Sequence, residues 1–415
     1  MPEPVTLHPP GPTPAPTQAG PWRLVRHASP SSVEARLWNG WLAASAQPSP
    51  FLRHEWLQAL HEQGCATPET GWTPCLLTAH AADDDDLTRP VGGCVSYLKT
   101  HSYGEYVFDW AWADAYHRHG LRYYPKVVCA SPFTPVPGSR LLAADAGVRA
   151  ALLHGLTSLA HDAGASSVHL LFPAPDDLDA ARAQGWLLRQ GVQFHWRNRH
   201  DATPGAAPYA DMDDFLASLQ RDKRKKIQQE RRRVREAGVT LHCLEGDEIG
   251  SDDWDAFFRG YVNTYRAHGS PPYLNRGFFE QVGTTLRPHW LMVQARRDGR
   301  ILASSLIGID REHGVAWGRY WGCDEHIPCL HFELCYYSPL QWCIEQGFRR
   351  FEGGAQGEHK MARGLLPVST GSAHWLSDPR FSEAVADFLS REGRHVGGYL
   401  DELRERQPFK ADREP

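Results

Sequence analysis

At 415 residues the chain is long for one domain, and two or three are expected at roughly 100–200 residues each. Its 41% hydrophobic and 22% charged residues suit a globular protein with a sizeable core, and no apolar run reaches the ~18 residues of a membrane helix. A net charge of -5 argues against wholesale coating of nucleic acid, although it leaves room for a local basic patch.

Residues 1–20, "MPEPVTLHPPGPTPAPTQAG", are proline-rich and lack both the basic and the apolar region of a targeting signal, so a disordered tail is expected. The nine cysteines are odd in number and form no CxxC pair, and they read as reduced core thiols of a cytoplasmic protein. Cys329 and Cys335, near His326 and His331, fit no zinc spacing, so no metal is expected. The first half then runs "GWTPCLLTAHA", a solvated hairpin loop at "AADDDDL", the aromatic-rich "PVGGCVSYLKTHSYGEYVFDWAW", a helical "ALLHGLTSLAHDAGASSVHLLFP" and "GWLLRQGVQFHW".

The stretch from Arg221 to Gly238, "RDKRKKIQQERRRVREAG", carries nine Lys or Arg against three acids, an excess that i,i+4 pairing with Glu230 and Glu236 does not account for. A helix over 221–237 with phosphate-binding Arg224, Lys225, Lys226, Arg231 and Arg232 is expected. Trp254, Phe257, Phe258, Tyr261 and Tyr265 fall on one helical face, Asn275 caps a second helix, and Asp298-Gly299 makes a hairpin turn. "GVAWGRYWGC", "CYYSPLQWCIEQGFRRFEGG" and "GLLPVSTGSAHW" complete the second half.

The halves repeat. Gly164 corresponds to Gly347, Val168-His169 to Phe351-Glu352, and His195-Trp196 to His374-Trp375. Helix, helix, three antiparallel strands, helix, strand and strand is the layout of the GNAT N-acyltransferase fold. The fold class expected is therefore α/β, with two tandem GNAT-like units of mixed, mainly antiparallel sheets at 21–205 and 206–410.

"SPFLRHEWL", "SYGEYVFDWAWADAYHRHGLRYYPK", "GVQFHWRN", "GSPPYLNRGFF", "GRYWGC", "HFELCYY" and "FEGGAQGEHKMARG" together give the chain a resemblance to the FemAB-like group of N-acyltransferases, over about 49 to 410. The resemblance implies acyl transfer to an amine-bearing acceptor. It leaves the donor open between aminoacyl-tRNA, as for true Fem ligases, and acyl-CoA, as for many GNAT proteins. No bound cofactor is expected. The turn "CDEHIPCLHFE" lacks the glycine pattern that seats a CoA pyrophosphate, and Asp324, Glu325 and Glu333 oppose a phosphate there unless other groups compensate.

In a GNAT fold the glycine-rich "RFEGGAQGEHKMARGLLPV" lies beside the splayed strands where amine meets acyl carbonyl. Acylating an amine needs a base for the ammonium proton, and Glu352, with Glu358 and His359 as alternatives, is the catalytic candidate. Lys360 and Arg363 are candidates for a charged substrate group, and Arg319, Tyr320, Trp321, His331 and Glu333 for the substrate-binding cleft. Glu105, Asp109 and Asp114 in the first half are candidates for contact with a cationic acceptor. The partners considered are a tRNA, a nucleotide-linked precursor and an amine. A conventional acetyl-CoA acetyltransferase and a non-catalytic recognition module are the alternatives.

Overall fold

The computed structural model describes residues 16–199, 205–355 and 357–410. Most of the proline-rich tail lies outside the described residues, as does Gln356 of the glycine-rich loop. Thr17–Ala19, assigned to the tail by composition, instead form strand β1, paired with β2 (Trp22–His27). The cause is simple: the run of prolines stops at Pro16, Thr17, Gln18 and Ala19 each carry an N–H for a ladder, and Pro21 falls in the turn between β1 and β2.

The chain divides into two compact units. One comprises the residues up to Gly191 with Thr370–Val396, the other Val192–Ser369 with the residues from Gly397 onward. A single cut near 205 therefore does not describe the packing. The closing strand of each sequence half ends in the unit built mainly from the other half.

In the first unit, β1, β2, β4 (Leu76–Ala81), β5 (Pro90–Cys94) and β8 (Leu142–Ala143) form an antiparallel sheet, with the acidic loop joining β4 to β5 as expected. A second set runs β3 (Trp72–Pro74), β6 (Tyr97–Lys99), β7 (Lys126–Cys129) and β9 (Ser167–Leu171), with β7 and β9 parallel. The helix Ala146–Asp162 packs against both sets, burying Leu152, Leu153 and Leu156 completely in one cluster with Leu24, Leu77 and Val168. At about 25 cal/mol per Å², burying one such side chain supplies roughly 1.5–3 kcal/mol. The aromatic stretch after Lys99 is not the strand its composition suggested. It runs as loop to Asp109 and then as the helix Trp110–Arg118, whose Trp112 and Tyr116, four residues apart, share one buried face.

In the second unit β11 (Thr240–Glu245), β12 (Trp290–Arg297), β13 (Arg300–Asp310) and β14 (Val315–Cys323) are antiparallel neighbours. β15 (Arg350–Ala355) joins β14 in parallel, and residues 193–197 of β10 (Leu187–Arg197) pair with β15. β16 (Leu366–Leu376) mirrors β10, its residues 372–376 pairing with β9 in the first unit. The local expectations hold. Asn275 Oδ1 accepts from Phe278 N at 2.9 Å, and Asp298 and Gly299 both take positive φ between β12 and β13. The repeat-mates Gly164 and Gly347 end their helices at φ 60° and 70°. Each matched residue pair recurs as a strand register, His374 opposite His169 and His195 opposite Glu352.

The helix Ser251–Ala267 lies flush on β14 because two glycines meet. A Cβ on Gly322 would stand 2.0 Å from the carbonyl carbon of Gly260. All nine cysteines are free; Cys65, Cys94, Cys129 and Cys343 are core thiols, whereas Cys243 is exposed. Among the described residues no helix is long and apolar enough to cross a membrane.

Candidate functional site

The site in the second unit begins where two parallel strands part. β14 and β15 are in register at Val315–Arg350, Ala316–Phe351 and Trp317–Glu352, and no pairing continues beyond. Just past that point β14 carries an irregularity against β13: Leu306 pairs with Tyr320 and Ile307 with Gly318, so Arg319 is the extra residue. The parting of the strands and the bulge open the sheet at this point. The resulting cleft, open to solvent and about 460 Å³, is lined by Gly318, Arg319, Tyr320 and Trp321 of β14, by Phe351 and Gly353 of β15, and by His331, Cys335 and Tyr336.

Glu352 ends the paired stretch. It is one residue from Gly353 of the cleft, with its side chain on the strand face opposite Phe351. It is 5% exposed, and burial pushes its carboxyl up to about 7 against the opposing pull of Arg350 and of a hydrogen bond from Trp317. Arg350 Nε stands 3.0 Å from Oε1, and His195 Nε2 4.0 Å from Oε2. His195 accompanies Gln193 Oε1 at 3.1 Å and is held neutral, its pKa drawn down to about 3 by burial and then by Arg350. A carboxyl that titrates near neutrality beside an uncharged imidazole is equipped to take up a proton. Arg350 and Trp317 were not singled out from the sequence, and His195 was noted there only as the repeat mate of His374. The signal that was available is the repeated His-Trp strand ending, which placed a histidine opposite the same strand position in each half.

The glycine-rich loop turns into a short 3-10 helix, Glu358–Arg363, between Gly357 and Gly364, both at positive φ. Its side chains have separate tasks. Glu358 is exposed and accepts from Tyr399 Oη at 2.8 Å. His359 is exposed, 3.4 Å from Tyr336 Oη, and its pKa is lowered by partial burial and by Arg363 and Lys360. Lys360 is buried and donates to the carbonyls of Gly353 and Gly354, at 2.7 and 3.3 Å, so it ties the loop back to β15. Burial draws its ammonium down to about 8.

Arg363 is committed within the protein. It is 3% exposed, pairs with both oxygens of Glu230 at 3.2 and 3.0 Å, donates to His359 O at 2.6 Å and lies 3.5 Å over the Phe332 ring. Glu333 is likewise committed. It is 1% exposed, takes Arg231 Nε at 3.1 Å and Ser338 Oγ at 3.0 Å, and stands apart from the cleft lining. Its partner Arg231 also donates to Gln341 at 2.8 Å, which removes that arginine from the cations available to a phosphate. The remaining cleft candidates do converge. The Arg319 guanidinium stacks 4.9 Å from the Tyr320 ring, and Trp321 meets His331 edge-on at 5.2 Å. His331 is neutral, with its pKa drawn to about 4 by burial and by His359.

The basic helix spans Arg221–Glu236 and buries Ile227, Glu230 and Val234 at spacings of three and four. Lys225, Lys226 and Arg232 are exposed, Arg224 half-buried, and Lys225, Arg232 and Arg235 border a shallow surface groove with Gln228 and Gln229. The acids at the turn after β14 are each matched by an arginine: Asp324 by Arg259 at 2.9 Å, Glu325 by Arg297 at 2.5 Å, and Glu333 by Arg231. Among the described residues no group of three or more His, Cys, Asp or Glu could hold a metal.

The sequence profile of the FemAB-like family, described as peptidoglycan biosynthesis/recognition, matches residues 29–411. No curated protein sequence matches the chain. Among solved structures, L-PGS from Bacillus licheniformis is 11% identical and aligns over 86% of this chain and 97% of its own, at a TM-score of 0.48. A tandem GNAT protein from the clavulanic acid biosynthesis pathway is 13% identical over 86% and 99%, with a TM-score of 0.45. A GCN5-related N-acetyltransferase from Sphaerobacter thermophilus is 12% identical over 85% and 95%, with a TM-score of 0.31.

Proposed function

The chain belongs to the FemAB-like family, and on that footing we propose that it is an N-acyltransferase that moves an acyl or aminoacyl group to an amine of a peptidoglycan-related acceptor. The observation that carries the reading is Glu352: a buried carboxyl, pushed to about 7, at the point where β14 and β15 part, between the cleft-lining Phe351 and Gly353 in the chain. An acceptor amine arrives as an ammonium and must lose a proton before it attacks. Ionised Glu352 takes that proton, the nitrogen adds to the acyl carbonyl, and the thiol or ribose hydroxyl of the donor leaves with the electron pair and is then protonated. General-base help of this kind supplies roughly 10²- to 10⁴-fold in rate. His195, neutral and opposite, keeps a second cation away from the carboxylate that must gain a proton.

The donor is a choice between two phosphate-bearing molecules. Exposed Lys225, Lys226 and Arg232 support a polyanionic one such as charged tRNA, because a stripe of cations contacts phosphates without reading bases. A specific observation also keeps acyl-CoA in play. Asp324, Glu325 and Glu333 are each neutralised by an arginine, so the charge argument against a pyrophosphate near the turn after β14 no longer holds.

The test is direct. The protein is incubated with a diaminopimelate-containing peptide and either acetyl-CoA or aminoacyl-tRNA, and the peptide is weighed by mass spectrometry. A mass gain with one donor, lost in Glu352→Gln, supports the reading and names the donor. Tight peptide binding without a mass gain from either donor would instead make the chain a recognition module.

A further inference from the structure

Four of the five large hydrophobic side chains that are exposed among the described residues fall within one short segment of the first unit. They are Tyr103 at 58%, Phe108 at 54%, Trp110 at 42% and Leu121 at 39%. Soluble proteins seldom gather exposed apolar side chains in one place without something to cover them. The segment is fixed from beneath. Ser102, Glu105 and Asp109 turn inward between the aromatic residues, and Lys126 Nζ donates to Ser102 Oγ at 2.8 Å, to Glu105 Oε2 at 2.7 Å and to Asp109 Oδ2. Arg189 Nη1 donates to Phe108 O at 2.6 Å while its other nitrogens hold both oxygens of Glu392 at 2.7 Å. The helix Trp110–Arg118 then buries Trp112 and Tyr116 on one face. Trp110, Asp114 and Arg118, also four residues apart, share the exposed face, and Leu121 follows just past its end.

The charge around these side chains is positive, in a chain whose net charge is -5. Three acids lie between Tyr103 and Arg122. Glu105 and Asp109 are buried on Lys126, so neither is the contact for a cationic acceptor that the sequence suggested. Asp114 is exposed but paired with Arg118 at 2.7 Å. Arg122, His117 and His119 are exposed beside it. On the surface of the segment a single acid therefore stands against two arginines and two histidines.

Tyr103 and Trp110 meet edge to face at 5.1 Å, so the rings brace one another while standing out from the surface. Tyr and Trp, with Phe, Leu and arginine among them, make up an element that lies in the interfacial layer of a membrane. The rings settle at the level of the head groups, and the guanidinium groups meet lipid phosphates. A folded partner would need a hollow shaped to the projecting rings, whereas a head-group layer yields to them. We infer that the Tyr103–Arg122 segment docks the protein on an anionic lipid surface, Tyr103, Phe108, Trp110 and Leu121 entering the head-group layer and Arg118 and Arg122 facing phosphates. The contact is peripheral, and it goes beyond the acyl-transfer reading without depending on it.

The full-length protein is floated through a density gradient with vesicles of phosphatidylcholine alone, or of phosphatidylcholine mixed with phosphatidylglycerol. Each flotation is repeated in about 0.5 M salt, where the Debye length falls to about 4 Å and exposed charges, those of the basic helix Arg221–Glu236 included, are screened. The parent is expected to bind the mixed vesicles at least about fivefold better than the neutral ones at low salt, and to stay bound in part at high salt through its rings. Phe108→Ala with Trp110→Ala, at exposed positions, should lower the high-salt binding at least about fivefold while circular dichroism matches the parent. Arg122→Gln should weaken low-salt binding to the mixed vesicles only, and Lys225→Ala with Lys226→Ala and Arg232→Ala should leave high-salt binding as in the parent. A parent that floats with neither vesicle or only at low salt, or a double aromatic variant that floats as the parent does, overturns the inference. So does a dimer in sedimentation that the aromatic substitutions abolish, because a second copy then covers the rings. Glu352→Gln, in the second unit, is expected to float as the parent does, so failure of the transfer reading leaves this result standing.

Discussion

Replacing Glu352 with glutamine keeps the size of the side chain and abolishes its titration, which exposes the cost of burying the carboxylate. Folding raises this carboxyl from its usual 4.5 to about 7, chiefly by burial. A group that binds its proton more tightly in the folded state favours folding while protonated, so its support is complete below about 4.5 and is lost as pH rises to 7. At ~1.36 kcal/mol per tenfold change in affinity, the loss reaches about 3 kcal/mol above pH 7, with roughly 2–3 kcal/mol of it falling between pH 5 and pH 8. Glutamine has no such dependence. Urea unfolding of parent and variant at pH 5 and pH 8, followed by tryptophan fluorescence, should therefore show the variant gaining about 2–3 kcal/mol on the parent as pH rises. The same carboxylate must be ionised to act as base, so parental turnover should climb through about pH 7 while the variant loses roughly 10²- to 10⁴-fold. A stability difference that does not change with pH would refute the claim that burial perturbs Glu352, and with it the reason for choosing this residue as the base.

Changing Lys225, Lys226 and Arg232 together to alanine should weaken polyanion binding and lower the log–log salt slope by roughly 0.7–0.9 for each phosphate no longer neutralised, measured by filter binding across salt concentrations. Arg231→Ala should leave that slope unchanged and instead cost about 3–5 kcal/mol in urea unfolding, because it strands Glu333 as a buried, unpaired charge. Gly322→Ala forces the helix Ser251–Ala267 off β14 and should cost at least about 1–3 kcal/mol; a variant as stable as the parent would show that the helix sits more loosely on the strand than the 2.0 Å approach implies.

What the sequence by itself determined is local. Asn275 caps its helix, Asp298-Gly299 turns its hairpin and Gly347 ends its helix because each feature is decided within a few residues, by side-chain reach and by allowed φ. The repeat mates Val168-His169 and Phe351-Glu352, and His195-Trp196 and His374-Trp375, were legible too, but that His195 would lie opposite Glu352 and His374 opposite His169 was not. The helix from Trp110 was missed because aromatic content signals strand, while the four-residue spacing of Trp112 and Tyr116 signals helix. Only the tertiary structure decided that the closing strands exchange between units, since ladder hydrogen bonds are made by backbone atoms that are the same at every residue. It also sorted the charges. Arg231 and Arg363 looked like their exposed neighbours, yet one finds Glu333, 102 residues away, and the other Glu230, 133 residues away. The charge of a side chain is written in the sequence; whether it meets a partner or water, and therefore its pKa and its availability to a ligand, is set by burial, which only the folded chain creates.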